Sequence, residues 1–149
     1  MEKLKDSEQA LKNLEIFKQR TCELKLDSVS YRTLHHWDSI NLIECERESS
    51  TGWRRFNLVE VLWVHVITKM REIGVSLEKI AQAKTFFFEK IPHNDFKYVD
   101  YYIVGALYFK TPAFFVNLPN SQSEFLSYTE FTSAMSFGWV PRKIAFSGR

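Results

Sequence analysis

The sequence contains few of the residue patterns that carry chemistry by themselves. Only 2 of its 149 residues are cysteines, and Cys22 and Cys45 lie far apart and match no zinc or disulfide framework. With 5 glycines the chain has no phosphate-binding glycine loop, and the hydrolase motifs G-x-S-x-G and H-E-x-x-H are absent. The sequence therefore predicts a protein that is not an enzyme and holds no metal or cofactor.

Neither the charge nor the hydrophobic runs single out a partner. The chain has 20 Lys+Arg against 18 Asp+Glu, a net charge of +2, so any surface that binds nucleic acid must be local. No signal peptide and no apolar run long enough to cross a membrane are found, which predicts a cytoplasmic protein without membrane contact. A hydrophobic content of 45% can supply the core of one domain with an appendage.

Composition divides the chain into three parts. Residues 1–14 are polar and rich in Lys and Glu, which predicts a helical or frayed extension. Residues 15–91 carry the clearest patterns of hydrophobic spacing. Residues 92–149 are rich in Phe and Tyr and poor in charge, which predicts a separate small region.

The segment SYRTLHHWDSINLI, residues 30–43, predicts a short helix that presents polar side chains on one face. Ser30 is a natural N-cap, and Leu34, Trp37 and Leu42 recur at spacings that form one apolar stripe. Asn41 follows the predicted helix 30–40, and asparagine tolerates the left-handed backbone of a helix end. The other face of this helix carries Tyr31, Arg32, His35 and His36.

A small hairpin is predicted after this helix. Residues 42–43 and 53–56 are its two extended pieces, and they flank the polar loop ECERESSTG. Gly52 is placed to supply a positive φ at the end of that loop.

Further helices complete the predicted domain. Residues 57–74 have apolar residues at helical spacing and end at Gly74, which suits a C-cap. Ser76 begins another helix, which Pro92 prevents from continuing, and the weakly patterned residues 17–26 supply the first helix. The order helix, turn, helix, hairpin, helix, helix is that of a winged helix-turn-helix, whose second helix enters the DNA major groove.

Three runs of residues between Val29 and Ile80 follow a familiar pattern. They are SYRTLHHWDSINLI, RESSTGWRRFNLVEVL and MREIGVSLEKI, and they resemble, without a gap, the S-x-R-T-L-R-Y-Y/W-E, G-L-L, R, G-Y-R-x-Y and L-G-F-S-L-E-E-I of the MerR family of transcription regulators. The resemblance covers about a third of the chain. It implies a sequence-specific regulator that binds double-stranded DNA as a homodimer.

The resemblance also implies roles for residues of the recognition helix. Tyr31 and Arg32 stand where the family's helix meets bases. His35 and His36 stand where an arginine and a tyrosine of the family approach the DNA backbone.

The wing, residues 44–56, is implied to contact the DNA backbone. Trp53 and Arg54 match a tyrosine–arginine pair that holds phosphate in the family, and Arg47 matches the arginine that opens the wing. Three acidic side chains in the wing depart from the family pattern and are expected to repel phosphate: Glu44, Glu46 and Glu48.

Other departures concern the backbone and the dimer. Asn41 replaces the usual glycine, a conservative exchange for the backbone reason given above. Arg20 stands where the first helix should have an apolar residue. Pro92 arrives soon after Ile80 and no heptad pattern follows, so the long helix that usually joins the family's dimers is not predicted.

Alternative interpretations of these features remain. The pair His35–His36 makes a poor metal site, because adjacent helical residues point about 100° apart and no third ligand follows at a supporting spacing. An excisionase-like architectural protein of a mobile element would use a similar winged domain to bend DNA. A winged protein-interaction module without DNA binding is also compatible with the wing glutamates and the near-neutral charge.

The last part of the chain predicts a small α+β or β appendage. Its β-forming residues are interrupted at 110–112 and 119–121, which predicts two or three short strands and a short helix near 124–135. Subunit or partner contact, binding of a small-molecule or protein effector, and simple packing on the winged domain are the three roles considered for it.

Overall fold

The computed structural model describes residues 2–24, 29–47, 49, 52–93, 96–117 and 122–137. Within them the chain is mainly α-helical with small β elements, which confirms the predicted fold class. The helices are α1 (Glu2–Lys18), α2 (Tyr31–Ser39), α3 (Leu58–Glu72), α4 (Leu77–Phe87), α5 (Tyr98–Tyr108) and α6 (Tyr128–Ser136). The strands are β1 (Cys22–Glu23), β2 (Glu46–Arg47), β3 (Arg54–Phe56), β4 (Ala113–Asn117) and β5 (Ser123–Ser127).

The first helix lies earlier in the chain than the predicted helix over 17–26. Helix α1 ends at Lys18, residues 22–23 form strand β1, and residues 25–28 lie outside the described residues. Helix α1 is an integral part of the fold, because Ala10 and Leu14 are 6% and 2% exposed and the helix packs against α3 and α5. Their spacing of four residues puts both side chains on one face, a short apolar stripe in a segment that is polar by composition.

Helices α2 and α4 begin at the serine caps that the sequence predicts, and α2 and α3 end at the predicted residues. Ser30 caps α2 by accepting a hydrogen bond from the Thr33 amide at 3.1 Å, and Ser76 caps α4 in the same way. Asn41 follows α2 with a φ of 55°, and Gly74 follows α3 with a φ of 85°. Both helices thus end in the left-handed turn that these two residue types favour.

The wing hairpin differs from the prediction in its first strand. The strand that pairs with β3 is β2 at 46–47, while Leu42 and Ile43 form a turn and are buried in the core at 1% and 3% exposure. Strand β1 pairs with the other edge of β3, so the wing sheet has the antiparallel order β1-β3-β2. Two consecutive buried residues belong to a turn that enters the core rather than to a strand with one buried face.

Gly52 has a different function from the one predicted. Its φ is not positive, because among the glycines of the described residues only Gly74 has a positive φ. Its amide donates to the Ser49 carbonyl at 3.0 Å, and a Cβ at this position would lie 3.1 Å from the Ser49 backbone nitrogen. The close approach of the Ser49 backbone therefore favours glycine at position 52.

The hydrophobic core lies between α2, α3, α4 and the turn after α2. Trp63 of α3 is 1% exposed, and its ring packs 4.9 Å from that of Phe87 on α4. The buried apolar side chains of this core are Leu34, Trp37, Leu42, Ile43, Phe56, Val59, Trp63, Val64, Ile67, Met70, Ile80, Ala83, Phe87 and Val99.

The last third of the chain packs on this core. The rings of Phe115 and Phe125, from the hairpin β4-β5, lie 5.2 and 5.3 Å from the ring of Phe87. Tyr102 of α5 stacks on Phe125 at 5.0 Å and donates to its carbonyl, and burial, the largest influence, raises the pKa of Tyr102 to about 12. Aromatic side chains from both sides of residue 92 therefore form one cluster.

The segment 98–108 is helix α5, although its composition predicted strands. The segment is apolar on nearly every side, so neither a period of two nor a period of 3.6 distinguishes its state. Asp100, the third residue of the helix, stabilises its start, because the Asp100 carboxylate accepts a hydrogen bond from the Lys97 amide at 3.1 Å. The two strands of the predicted appendage are 113–117 and 123–127, and the short helix begins after them, at Tyr128.

The buried face of α1 generates a stability prediction. Leu14→Ala is expected to lower the free energy of unfolding by about 2–4 kcal/mol, because it removes a buried side chain and leaves a cavity. Ile16→Ala is the matched control on the same helix, since Ile16 is 58% exposed. Urea unfolding measures both, and equal effects of the two substitutions would show that α1 does not pack on the core.

Candidate nucleic-acid interface

Helix α2 presents polar side chains to solvent and holds its apolar side chains in the core. Leu34 and Trp37 are 8% and 5% exposed. The face away from the core carries the four side chains that the sequence singled out, and all four are exposed: Tyr31, Arg32, His35 and His36. The spacing that buries one face therefore brings together the candidate DNA-reading residues on the other.

The end of α2 is attached to the core by a backbone turn. The Leu42 amide donates to the Trp37 carbonyl at 2.8 Å and the Asn41 amide to the Asp38 carbonyl at 3.0 Å, a Schellman-type ending. The indole N–H of Trp63 then donates to the Leu42 carbonyl at 2.9 Å. The buried indole thus joins the turn after α2 to helix α3.

The wing places its three candidate residues in different environments. Trp53 is 76% exposed at the start of β3. Arg47 in β2 is partly exposed. Arg54, predicted to hold phosphate, is 6% exposed, and its guanidinium faces α2 instead of open solvent.

A single carboxylate links α2 to both wing arginines. Oδ2 of Asp38 accepts hydrogen bonds from Arg47 at 2.5 Å and from Nη2 and Nε of Arg54 at 3.3 and 3.4 Å. Arg54 also lies 4.9 Å from the ring centre of Tyr31, and its Nη2 lies 3.3 Å from Nδ1 of His35. Arg54 therefore contacts three positions along one side of the helix.

The charges of this cluster affect its two titrating groups. Partial burial acts to raise the pKa of Asp38, but the hydrogen bond from Arg47 and the charges of Arg47 and Arg54 outweigh it, so the pKa lies below its usual value. Burial and the Asp38 carboxylate raise the pKa of the neighbouring Cys45 thiol. Cys45 is consequently held in its protonated form, which is a poor nucleophile.

The wing acids that were expected to repel phosphate have cationic neighbours. Glu44 pairs with Lys84 of α4 at 3.2 Å, and Glu46 lies 3.9 Å from Arg20. Arg20, which interrupts the apolar pattern expected of a first helix, also binds the buried carboxylate of Glu60 at 2.8 Å. Glu48 lies outside the described residues, so the expectation for it has no structural counterpart.

Sequence reasoning missed Asp38 as a functional residue. The available signal was the last letter of the motif S-x-R-T-L-R-Y-Y/W-E, because an acid stands at the corresponding position of this chain. An acidic residue within the motif indicates a cationic partner, but the motif does not identify which residue that is. The two arginines come from the wing, and only the fold brings them to the helix.

The geometry defines a class of DNA-binding domain. A helix with one polar exposed face, a turn anchored in the core and a small antiparallel wing together correspond to the second helix and the wing of a winged helix-turn-helix. Residues 26–85 match the family described as MerR HTH family regulatory protein. This part of the chain is a MerR-type helix-turn-helix domain.

Two relatives share part of this domain. The chain is 34% identical over 55 residues to the nodulation protein NolA of Bradyrhizobium sp. (strain NC92), which is 37% of this chain and 23% of that protein. It is 36% identical over 55 residues to NolA of Bradyrhizobium elkanii, again 37% of this chain and 25% of that protein. The match therefore spans about a quarter of the length of these relatives. No solved structure gives a significant match.

Two further features of the described residues concern ligands and membranes. No three His, Cys, Asp or Glu side chains among them come close enough to hold a metal ion. None of the described helices combines the length and apolar character needed to cross a membrane.

The Asp38 cluster generates a pH prediction. Because the folded-state pKa of Asp38 is lowered, its ion pairs stabilise the fold above the ordinary value of 3.8 and are lost as the pH falls through the folded-state pKa. Asp38→Asn is expected to lower the free energy of unfolding near pH 7 by about 1–3 kcal/mol, because a buried arginine loses its partner. The same variant should show a smaller loss of stability below about pH 4 than the parent protein.

Urea unfolding at a series of pH values measures both effects. Glu72→Gln is the control, since Glu72 forms an exposed ion pair with Lys69 within one helix turn. A parent and an Asp38→Asn variant with parallel pH profiles would contradict the assigned role of the carboxylate.

Proposed function

We propose that the protein is a sequence-specific, DNA-binding transcription regulator of MerR type and not an enzyme. Helix α2 enters the major groove of double-stranded DNA and the wing lies over the backbone. The observation that carries this proposal is the exposed polar face of α2 within a MerR-type domain. The opposite face of the same helix is buried in the core. The major groove admits one helix, and donors on its outer face can reach base edges and phosphates.

The exposed residues divide into base and backbone contacts. Tyr31 and Arg32, in the first turn of α2, contact base edges, where arginine pairs with guanine in two hydrogen bonds. His35 and His36, one turn later, approach the backbone side of the groove. Trp53 projects from the wing with 76% of its surface exposed and packs on the sugar–phosphate chain.

The two paired arginines take different roles. Arg47 has 23% of its side chain exposed beside Asp38, which leaves surface for a phosphate oxygen. Arg54 has 4% of its side chain exposed, so we assign it to positioning α2 in place of the phosphate contact that the resemblance implied. Its buried guanidinium pairs with Asp38 and contacts the ring of Tyr31 and the Nδ1 of His35.

We also propose that the protein forms a homodimer and that it is located in the cytoplasm. Two copies of α2 on two half-sites would require an operator with approximate two-fold symmetry. The region 92–149 is the proposed site of subunit contact or of a small-molecule or protein effector. A cavity of about 500 Å³ between the winged domain and the start of α5 is lined mostly by charged side chains, among them Lys84, Lys97 and Asp100, so an effector held there would be polar.

The deciding experiment selects duplexes from a random-sequence pool with the purified protein at two salt concentrations. Enrichment of an inverted repeat, bound less tightly at high salt, is expected for a dimeric regulator. Clustered sites with strong DNA bending would indicate an excisionase-like architectural protein instead. No enrichment and no salt-dependent binding would leave a winged protein-interaction module and overturn the proposal.

A substitution in the recognition helix tests the base contact. Arg32→Ala is expected to reduce discrimination between the selected duplex and random duplexes by about 1–3 kcal/mol, because it removes a base contact. Lys69→Ala removes the same charge on α3 and should leave this discrimination unchanged. Fluorescence anisotropy titrations measure both, and equal losses on selected and random DNA would exclude a base-reading role for Arg32.

A further inference from the structure

Three residues of α2 share the face that meets the wing. Tyr31, His35 and Asp38 are separated by four and three positions, so they lie along one side of the helix. Arg54 lies against all three, with its guanidinium next to the Tyr31 ring, the Nδ1 of His35 and the carboxylate of Asp38. One buried side chain from the wing thus sets the environment of an exposed histidine on the reading face.

The contact between Arg54 and His35 restricts the chemistry of the imidazole. A guanidinium has five N–H donors and no acceptor, so the Nδ1 that faces it at 3.3 Å can only accept. A neutral imidazole carries one N–H, and when Nδ1 accepts, the hydrogen resides on Nε2. Asp38 Oδ2 accepts from the same Nη2 at 3.3 Å and from the neighbouring Nε at 3.4 Å, so Arg54 cannot turn away from His35 without losing an ion pair.

We infer that Arg54 holds His35 in the Nε2–H form and thereby makes it an obligatory hydrogen-bond donor toward DNA. His35 is then specific for an acceptor, which is a guanine O6 or N7, an adenine N7, a thymine O4 or a phosphate oxygen. It rejects the amino groups of adenine and cytosine, which present donors in the major groove. The inference rests on the proposed DNA-binding function and adds to it a hydrogen-bond donor of fixed polarity, His35, and a positioning residue, Arg54.

The tautomer can be measured on the free protein. Long-range 1H–15N correlation spectra of 15N-histidine-labelled protein, recorded near pH 8 so that ordinary imidazoles are neutral, distinguish the two ring nitrogens. His35 is expected to show one protonated Nε2 and one unprotonated Nδ1, without the averaging expected of exposed His36. Arg54→Met should return His35 to an averaged pattern, whereas a His35 that is averaged in the parent, or unchanged by this substitution, would overturn the inference.

A matched pair of substitutions tests the donor on DNA, and both are made at an exposed position, which keeps the fold intact. His35→Gln retains an N–H donor near the place of Nε2, and His35→Asn retains only a polar group near the place of Nδ1. We expect His35→Asn to weaken binding to the selected duplex about tenfold, the value of one hydrogen bond, and His35→Gln to stay within about threefold of the parent. Equal losses in the two variants, or no loss in either, would overturn the inference.

Modified duplexes identify the acceptor. If it is a base, one analogue that lacks the acceptor atom should remove the difference between His35→Asn and the parent: a 7-deaza purine for N7, 2-aminopurine for guanine O6, or 5-methyl-2-pyrimidinone for thymine O4. If it is a phosphate, one methylphosphonate linkage should remove that difference instead. A parent protein that binds no DNA would overturn the proposed function while the spectra still decide the tautomer, so the two failures are distinguishable.

Discussion

The hydrogen bond from the Trp63 indole to the Leu42 carbonyl is the interaction on which the position of α2 and of the wing depends. The bond is buried, where an unpaired N–H would cost about 1–3 kcal/mol, so the turn after α2 is held in one place. Leu42 and Ile43 enter the core at this turn instead of continuing into a strand. The direction of α2 and the start of the wing both follow from that entry, because the chain leaves the core again only at Glu44.

The Asp38 cluster supplies what the hydrophobic core cannot. Apolar packing is nondirectional, whereas a carboxylate shared between Arg47 and Arg54 defines the distance between α2 and the wing. Compared with apolar side chains of the same shape, a partly buried ion cluster adds little stability, since desolvation of the charges offsets much of their attraction, although removing one partner alone is costly. We interpret the cluster as the contact that fixes the orientation of α2 relative to the wing. Within it, Arg54 also contacts Tyr31 and His35.

The sequence predicted those parts of the fold that depend on local rules. Ser30 as a cap, Asn41 as a left-handed helix end and Gly74 as a C-cap are matters of one residue and its neighbours, and the structure confirms them. The burial of Leu14 depends on the packing of α1 against α3 and α5, a long-range contact that the local sequence does not specify. Helix α5 was predicted as strand because an apolar segment has no polar face from which to read a period.

The sequence predicted which residues belong to the candidate site, but it did not predict which of them contact one another. Exposed Tyr31 and Arg32 follow from helical spacing, but the burial of Arg54 follows from Asp38, which is separated from it by sixteen residues of chain. The same limit applies to the wing acids, which the sequence alone predicted to repel phosphate. Lys84 lies beside Glu44 and Arg20 lies beside Glu46, so these negative charges are met by cations from α4 and from the segment before β1. A net charge of +2 is therefore compatible with a local DNA-binding face, because Glu44 and Glu46 are paired within the domain while Arg32 is exposed on α2.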